Sequence, residues 1–480
     1  MQYLLNKLYL THKHEEILMS ELVNVSDLAA PDAAASDSQA LNDLPNRESL
    51  EAYWMPYTGN RYFKENPLIV TSAQGCYLTT QEGNKVFDGL SGLWCCGMGH
   101  GRPEIIQAVT KGIQTLDFSP TFQVGNDLAF KVANKVKDLT PDGLDYVFFT
   151  NSGSDAADTA LKMARAYWRQ KGQGTKTRFI GRARGYHGVN YGGMSVGGIG
   201  PNRKLFGQGI EADHLPHTCL RQNRFSKGMP EHGVELADTL EDLVALHDAS
   251  NIAAVIVEPM SGSGGVVIPP KGYLNKLRAI CDKHNILLIF DEVITGFGRT
   301  GHAFGADAFG VTPDIMTLAK GLTNGCVPMG AVVSSSEIYQ TFMQNAGPEY
   351  NTEFPHGYTY SAHPVACAAA LAAMEVFEKQ KMTEKVAQLS PYFEQQIHQL
   401  KGLKHVVDIR NFGLAGAIEI DTFGNEPTKR PFEIFRRCWD AGMFVRCGGN
   451  TIQLAPPFIS TKEQIDELFN VLNDAINATH

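Results

Sequence analysis

Two short apolar runs, each stopped by a reactive side chain, constrain this sequence more than any other feature. Leu287-Leu288-Ile289-Phe290 ends on Asp291 and Glu292, and the run Ile315 to Leu318, entered after Pro313, stops just short of Lys320. Runs of this length suit buried strands of a parallel sheet. Ligands of open α/β sheets gather outside the carboxyl ends of the strands. A carboxylate and an amine are therefore expected at one ligand-binding edge, with Gly296, Gly298 and Gly301 in the connecting loop.

The same alternation extends in both directions. Tyr146–Phe149, Arg178–Gly185, Ile252–Val257 and Ala331–Val333 read as strands, the first as a buried one. Helical patterns cover Asp127–Leu139, with Asn126 as N-cap, then Asp238–Leu246 and Gly272–His284. Strand–helix–strand alternation over about 146–320 predicts an α/β domain with a mostly parallel sheet. Ahead of it, Leu68–Asp88 alternates like an antiparallel meander, and Arg102–Leu116 reads as a helix with Pro103 near its start. Behind it lie helices over Ala366–Lys381, Thr383–Leu403 and Lys462–Ile476, and strands over Val406–Ile409, Leu414–Ile420 and Thr451–Leu454. That tail reads as α+β.

Composition removes several classes. The 480 residues are 43% hydrophobic, enough for a large core, and the net charge of −9 disfavours nucleic-acid and membrane-surface partners. No run reaches the ~18 apolar residues of a membrane span. The first residues show no cleavable signal pattern. Met19 is a plausible alternative start, and the Ala-, Asp-, Ser- and Asn-rich stretch 27–46 is expected to be disordered or loosely attached. Nine cysteines, Cys95-Cys96 among them, form no CxxC pair and no metal pattern. They read as reduced thiols of a cytoplasmic protein, with Cys281, Cys326 and Cys367 as packing residues.

Asp and Lys at neighbouring strand ends match the needs of a pyridoxal phosphate enzyme. Its lysine condenses with the cofactor aldehyde, and its Asp keeps the pyridine nitrogen protonated. Taken alone, the pair better fits a surface lysine and a strand-terminal acid that never meet. Other stretches add to it. Asn151-Ser152-Gly153-Ser154 follows a strand and opens a helix, a ready anion site or an ordinary N-cap. Tyr186-His187-Gly188 offers an aromatic after a strand, Glu258-Pro259 ends another, and Trp94 stands among glycines as either a core residue or a pocket wall. Gly193-Met194-Ser195-Val196-Gly197 has the form of a nucleophile elbow, but its flanking glycines predict a loop without a helix.

In this order and spacing, Ser152-Gly153-Ser154, Tyr186-His187-Gly188, Glu258-Pro259, Asp291-Glu292-Val293 and Ala319-Lys320-Gly321 resemble class III aminotransferases, fold-type I pyridoxal phosphate enzymes, over about residues 47–480. Within the family, LSGLWCCGMGHGRPEI, KTRFIGRARGYHGVNYGG, FPHGYTYSAHPVACAA and FVRCGGNTIQLAPPFI look most like the β-alanine–pyruvate, or ω-amino acid, branch. The resemblance implies an extension (1–46), a small domain from both chain ends (47–95 and 356–480) and a large cofactor domain (96–355). It implies Lys320 as the cofactor-bearing base and Asp291 as the partner of the ring nitrogen. Val293 and Tyr186 would cover the two ring faces. Ser152, Gly153 and Ser154 would hold the phosphate, with His187 and Glu258 also at the cofactor. Thr359 matches a threonine that reaches the neighbouring subunit's phosphate, implying a homodimer or a dimer of dimers. Trp94, Tyr186 and Arg446 match substrate-pocket positions.

The expected reaction moves an amino group from an ω-amino acid or amine to pyruvate. Amine– or taurine–pyruvate transfer, or mutase or decarboxylase chemistry on the same cofactor, would keep Lys320 and Asp291 and change the pocket. A hydrolase on Ser195 and a non-catalytic cofactor-binding regulator are the competitors outside this class. The first is disfavoured by loop context, the second by the lack of a helix-turn-helix pattern or basic patch before residue 47.

Overall fold

The computed structural model describes residues 47–480. The expectations for residues 1–46 lie outside that range. By contact density the chain divides at Ile69/Val70. Before the division are two short helices, Arg47–Leu50 and Asn60–Glu65. All that follows concerns Val70–His480.

The predicted meander is present as β1 (Val70–Gln74), β2 (Tyr77–Thr80) and β3 (Lys85–Asp88), paired antiparallel. The central sheet contains β4 (Leu144–Thr150), β5 (Arg178–Arg182), β6 (Ala212–Leu215), β7 (Ile252–Val257), β8 (Leu287–Asp291), β9 (Ile315–Leu318) and β10 (Gly330–Ser335). Its order is β4-β10-β9-β8-β7-β5-β6. Pairing is parallel from β9 through β6, and β10 runs antiparallel to both of its neighbours. Reversal on each side of β10 leaves β4 pointing the same way as the parallel strands. The carboxyl ends of β4, β5, β7, β8 and β9 therefore share one edge.

The continuous apolar runs are the sheet's centre because both faces are covered. Leu288 and Phe290 of β8 pack with Leu277 and Met374, from the helices Tyr273–His284 and Pro364–Lys379. Leu287 and Ile289 pack with Ala160, Ala164 and Trp168 of the helix Gly153–Gln170 on the opposite face. One expectation needs correction here: β4 lies at the sheet margin, and Tyr146–Phe148 are half-buried.

The tail supplies β11 (Val406–Phe412), β12 (Ala415–Ile420), β13 (Met443–Phe444), β14 (Arg446–Gly448) and β15 (Thr451–Leu454). Four of these form a sheet of order β11-β12-β15-β14, and β13 pairs parallel with β3. The chain's two ends thus meet, placing Trp94 and Arg446 in adjoining elements. All nine cysteines are free, and Cys281 and Cys367 are buried as expected. Cys326 is exposed instead, because it follows the left-handed turn residues Asn324 and Gly325 that bring the chain back to the surface. No helix among the described residues is long and apolar enough to cross a membrane.

Candidate active site

Lys320 leaves β9 after a single residue and adopts φ +48°, a left-handed conformation that a non-glycine residue holds only under strong constraint. Burial pushes its amine below the ordinary lysine pKa, and neighbouring Arg446 pushes the same way, while Cys95, Asp291 and Glu258 oppose them. These neighbours bring one basic and several acidic groups around a single amine. The lysine and the acid at neighbouring strand ends lie near enough for the Asp291 charge to act on the Lys320 amine.

Asp291 is buried at the end of β8. Its Oδ2 lies 2.8 Å from His187 Nδ1, and its Oδ1 accepts the Val293 amide at 3.1 Å. The imidazole and the amide fix the carboxylate's orientation. Glu258 follows β7 and is fully enclosed, which raises its pKa. Its Oε2 accepts the Tyr186 amide at 3.1 Å and the Ser261 hydroxyl at 2.5 Å. Arg182 donates to the Glu258 carbonyl at 2.7 Å. Glu258 therefore anchors the loop that presents Tyr186 and His187.

Ser152 caps the helix Gly153–Gln170, its hydroxyl accepting the Asp155 amide at 3.1 Å. Ser154 Oγ accepts the Val189 amide at 3.2 Å, which leaves its proton available to a ligand. Glycines permit this cradle. A Cβ on Gly188 would lie 2.5 Å from Ser154 Oγ, and one on Gly153 would stand 3.1 Å from both Val293 methyls. The result is an 18-residue helix whose N-terminus opens beside Val293 and Ala319, the residue before Lys320.

Trp94 is buried, yet its indole Nε1 has no hydrogen-bond partner among the described residues. His187 Nε2 is orphaned in the same way. Arg446 is half-buried at the start of β14. Thr359 alone among the predicted residues stands apart, exposed in a turn. That turn is held to the helix Gly153–Gln170 through Tyr358, whose hydroxyl donates to the Asp155 carbonyl at 3.3 Å.

Ser195 corrects the loop expectation. It belongs to a short helix, Tyr191–Val196, stabilised where Asp158 accepts the Gly192 and Gly193 amides at 3.3 and 2.7 Å. Its hydroxyl donates to the Tyr191 carbonyl at 2.5 Å and accepts from Gly209 and Ile210 amides. A buried hydroxyl saturated in this way is not a nucleophile. Cys219, Asp408 and Glu419 offer ligand atoms within 4.8 Å of one another, but Arg410 Nη1 binds all three. A cation already occupies that cluster.

Sequence reasoning missed Arg299, a fully buried guanidinium in the loop after β8, and Asn324, which follows the Lys320 turn. Only the setting of Arg299 between glycines hinted at a constrained position. Asn324 left no signal.

The class III aminotransferase family model matches residues 59–476, and the chain belongs to that family. Its members are pyridoxal phosphate-dependent, and the donor set fits that group: helix amides for an anion, a fixed carboxylate, and a buried amine of lowered pKa. The chain is 58% identical to an ω-amino acid–pyruvate aminotransferase of Pseudomonas putida over 90% of this chain and 97% of that one. It is 57% identical to a β-alanine–pyruvate aminotransferase of Pseudomonas aeruginosa over 92% and 99%. Among solved structures, an (S)-enantioselective ω-transaminase from Thermomicrobium roseum superposes with a TM-score of 0.83 at 33% identity, covering 90% of this chain and 97% of that one. A PLP-bound amine transaminase from an uncultivated Pseudomonas species gives 0.82 at 34%, covering 88% and 98%.

Proposed function

We propose that this protein binds pyridoxal phosphate and transfers an amino group from an ω-amino acid of the β-alanine kind, or from an amine, to pyruvate. The observation that carries this reading is Arg446. It is a half-buried guanidinium near enough to Lys320 to depress its pKa, with no carboxylate partner among the described residues. Such a group calls for an anionic ligand, and a guanidinium binds a carboxylate in bidentate fashion. Pyruvate and an ω-amino acid both supply one. The names of the Pseudomonas relatives agree.

When bound, the cofactor supplies an electrophilic carbon and an electron sink for the carbanion. The chain does the rest. Helix amides at Gly153 and Ser154, with the Ser154 hydroxyl and the Ser152 cap, bind the phosphate. Asp291, oriented by His187, presents its charge to the ring nitrogen. Val293 and Tyr186 cover the ring faces, and Glu258 holds the Tyr186 loop. Lys320 Nζ takes the proton from the amine-bearing carbon of the donor and later returns one to the acceptor. Its lowered pKa increases the fraction of free base available for that transfer. Trp94 walls the substrate side.

Thr359 reaches the phosphate site of a second subunit, so the working form is a homodimer. The exposed Phe118, Phe122, Val124 and Tyr360 around its turn support this, since apolar patches of that kind mark interfaces. We assign residues 47–95 and 356–480 to the small domain and 96–355 to the large one. Nine unpaired cysteines favour the cytoplasm. The test is a panel of amino donors with pyruvate, the purified protein and added pyridoxal phosphate, measuring alanine. β-Alanine and related ω-amino acids should yield alanine. No alanine from any ω-amino acid or amine refutes the proposal.

A further inference from the structure

The turn that carries Trp94 is strained and is held by polar tethers. Ser91, Gly92 and Trp94 have φ of +50°, +66° and +67°. Left-handed residues clustered in this way persist only when their surroundings over-determine them. Asp88, wholly buried at the end of β3, accepts the Leu90 amide at 3.2 Å and the Gly92 amide at 2.6 Å, and lies 2.6 Å from His100 Nε2.

Two further tethers come from the other side of the site. Arg299 Nη2 donates to Ser91 Oγ at 3.1 Å, and its Nη1 donates to the Leu414 and Pro456 carbonyls at 3.0 and 2.7 Å. Its guanidinium lies 4.5 Å from the Phe458 ring centre and 6.0 Å from that of Trp94. Asn324, next to the Lys320 turn, accepts the Met98 amide at 3.0 Å and donates to the Gly99 carbonyl at 2.8 Å. Among Trp94, Met98, Phe297, Arg299, Asn324 and Phe458 lies a cavity with room for about one water. The Trp94 turn and the Lys320 turn touch at Gly325, where an added Cβ would lie 2.9 Å from Cys95 Cβ and 3.0 Å from Cys96 Sγ, and the void lies beside that contact. The tethers span the void.

We propose that Arg299 and Asn324 are positioning residues that fix the Trp94 wall relative to Lys320, and so limit the size of amino donor the site accepts. The donor-size part rests on the transaminase reading above. Neither residue need touch the reacting atoms. Loosening either tether lets Trp94 retreat, widening the pocket while leaving Lys320 and the phosphate cradle in place.

Removing Arg299 outright would strand two carbonyls and risks misfolding, so milder variants test the idea. Asn324→Gly keeps the left-handed backbone, φ +51°, and deletes both hydrogen bonds. Ser91→Gly likewise keeps its left-handed backbone, φ +50°, and deletes the Arg299 contact together with the 2.7 Å bond from the Ser91 hydroxyl to the Ala455 carbonyl. On the cofactor-loaded enzyme, amide exchange over residues 91–99 should accelerate about tenfold in either variant, with cofactor content unchanged. The ratio of kcat/KM for benzylamine to that for β-alanine should rise about fivefold or more, mainly through KM. Unchanged exchange overturns the tether. Faster exchange with an unchanged donor ratio overturns the size limit. Should wild-type protein transaminate no donor, the functional reading and the donor-size claim fail together, and the exchange measurement still decides whether the tethers hold the turn.

Discussion

Burial separates the lysines of this chain by role. Lys320 sits enclosed among acidic neighbours. Lys176 is also buried, and its pKa falls to about 8, yet it donates to the carbonyls of Ala249, Ile252 and Asn285. An amine committed to three carbonyls is a staple; a buried amine near the charge of a fixed carboxylate is a reagent. Lys320 was legible in the sequence because one residue separates it from a continuous apolar run. Arg446 shows the same logic for a cation without a carboxylate partner among the described residues. Replacing it with Ala should slow the pyruvate half-reaction about ten- to over a hundredfold, since a charge-assisted contact contributes roughly 1.5–3 kcal/mol. The half-reaction of an uncharged amine, followed separately by cofactor absorbance, should change little. Equal losses in both would make Arg446 structural.

Among elements, the loop after β8 repays attention because it links the two site residues Asp291 and Lys320. Glu292 begins it, fully buried, accepting the Thr295 hydroxyl and the Gly305 and Ala306 amides. Burial raises its pKa from 4.5 to about 7. The folded state thus binds a proton more tightly than the unfolded state. The resulting stabilisation is complete below about pH 4.5 and is lost as pH rises through 7. Relative to Glu292→Gln, wild-type protein should lose on the order of 3 kcal/mol between those limits. Denaturant melts of both proteins at pH 5 and pH 8 measure it, and a difference that stays constant contradicts it.

Elements also show where sequence reading stops. β7, β8 and β9 were plain because both faces are covered and no polar residue interrupts the pattern until the strand end or near it. The helix Tyr191–Val196 was hidden: six glycine-rich residues carry no periodicity, and Asp158, over thirty positions away, stabilises it. Arg299 and Asn324 were hidden for the same reason. Their partners lie more than a hundred residues off in sequence, and only the fold brings them together.

At the scale of the molecule, the proposed dimer makes a prediction that no single chain can meet. Lys320→Ala chains should be inactive, and Thr359→Ala chains should bind cofactor weakly. Mixed dimers would contain one site with both residues intact. After mixing and reassembly, activity should rise toward about a quarter of the wild-type value, since about half of randomly paired dimers are hybrid, each with one intact site of two. Activity no greater than the sum of the separate homodimers would return Thr359 to its own chain.

The central claim is that Lys320 is the amine on which the chemistry turns. Borohydride reduction of the cofactor-loaded protein, followed by peptide mass mapping, tests it most directly. The account predicts one labelled peptide, carrying the reduced cofactor on Lys320, and no label in the Lys320→Ala protein. Label on Lys176 or on a surface lysine, with Lys320 unmodified, would contradict it.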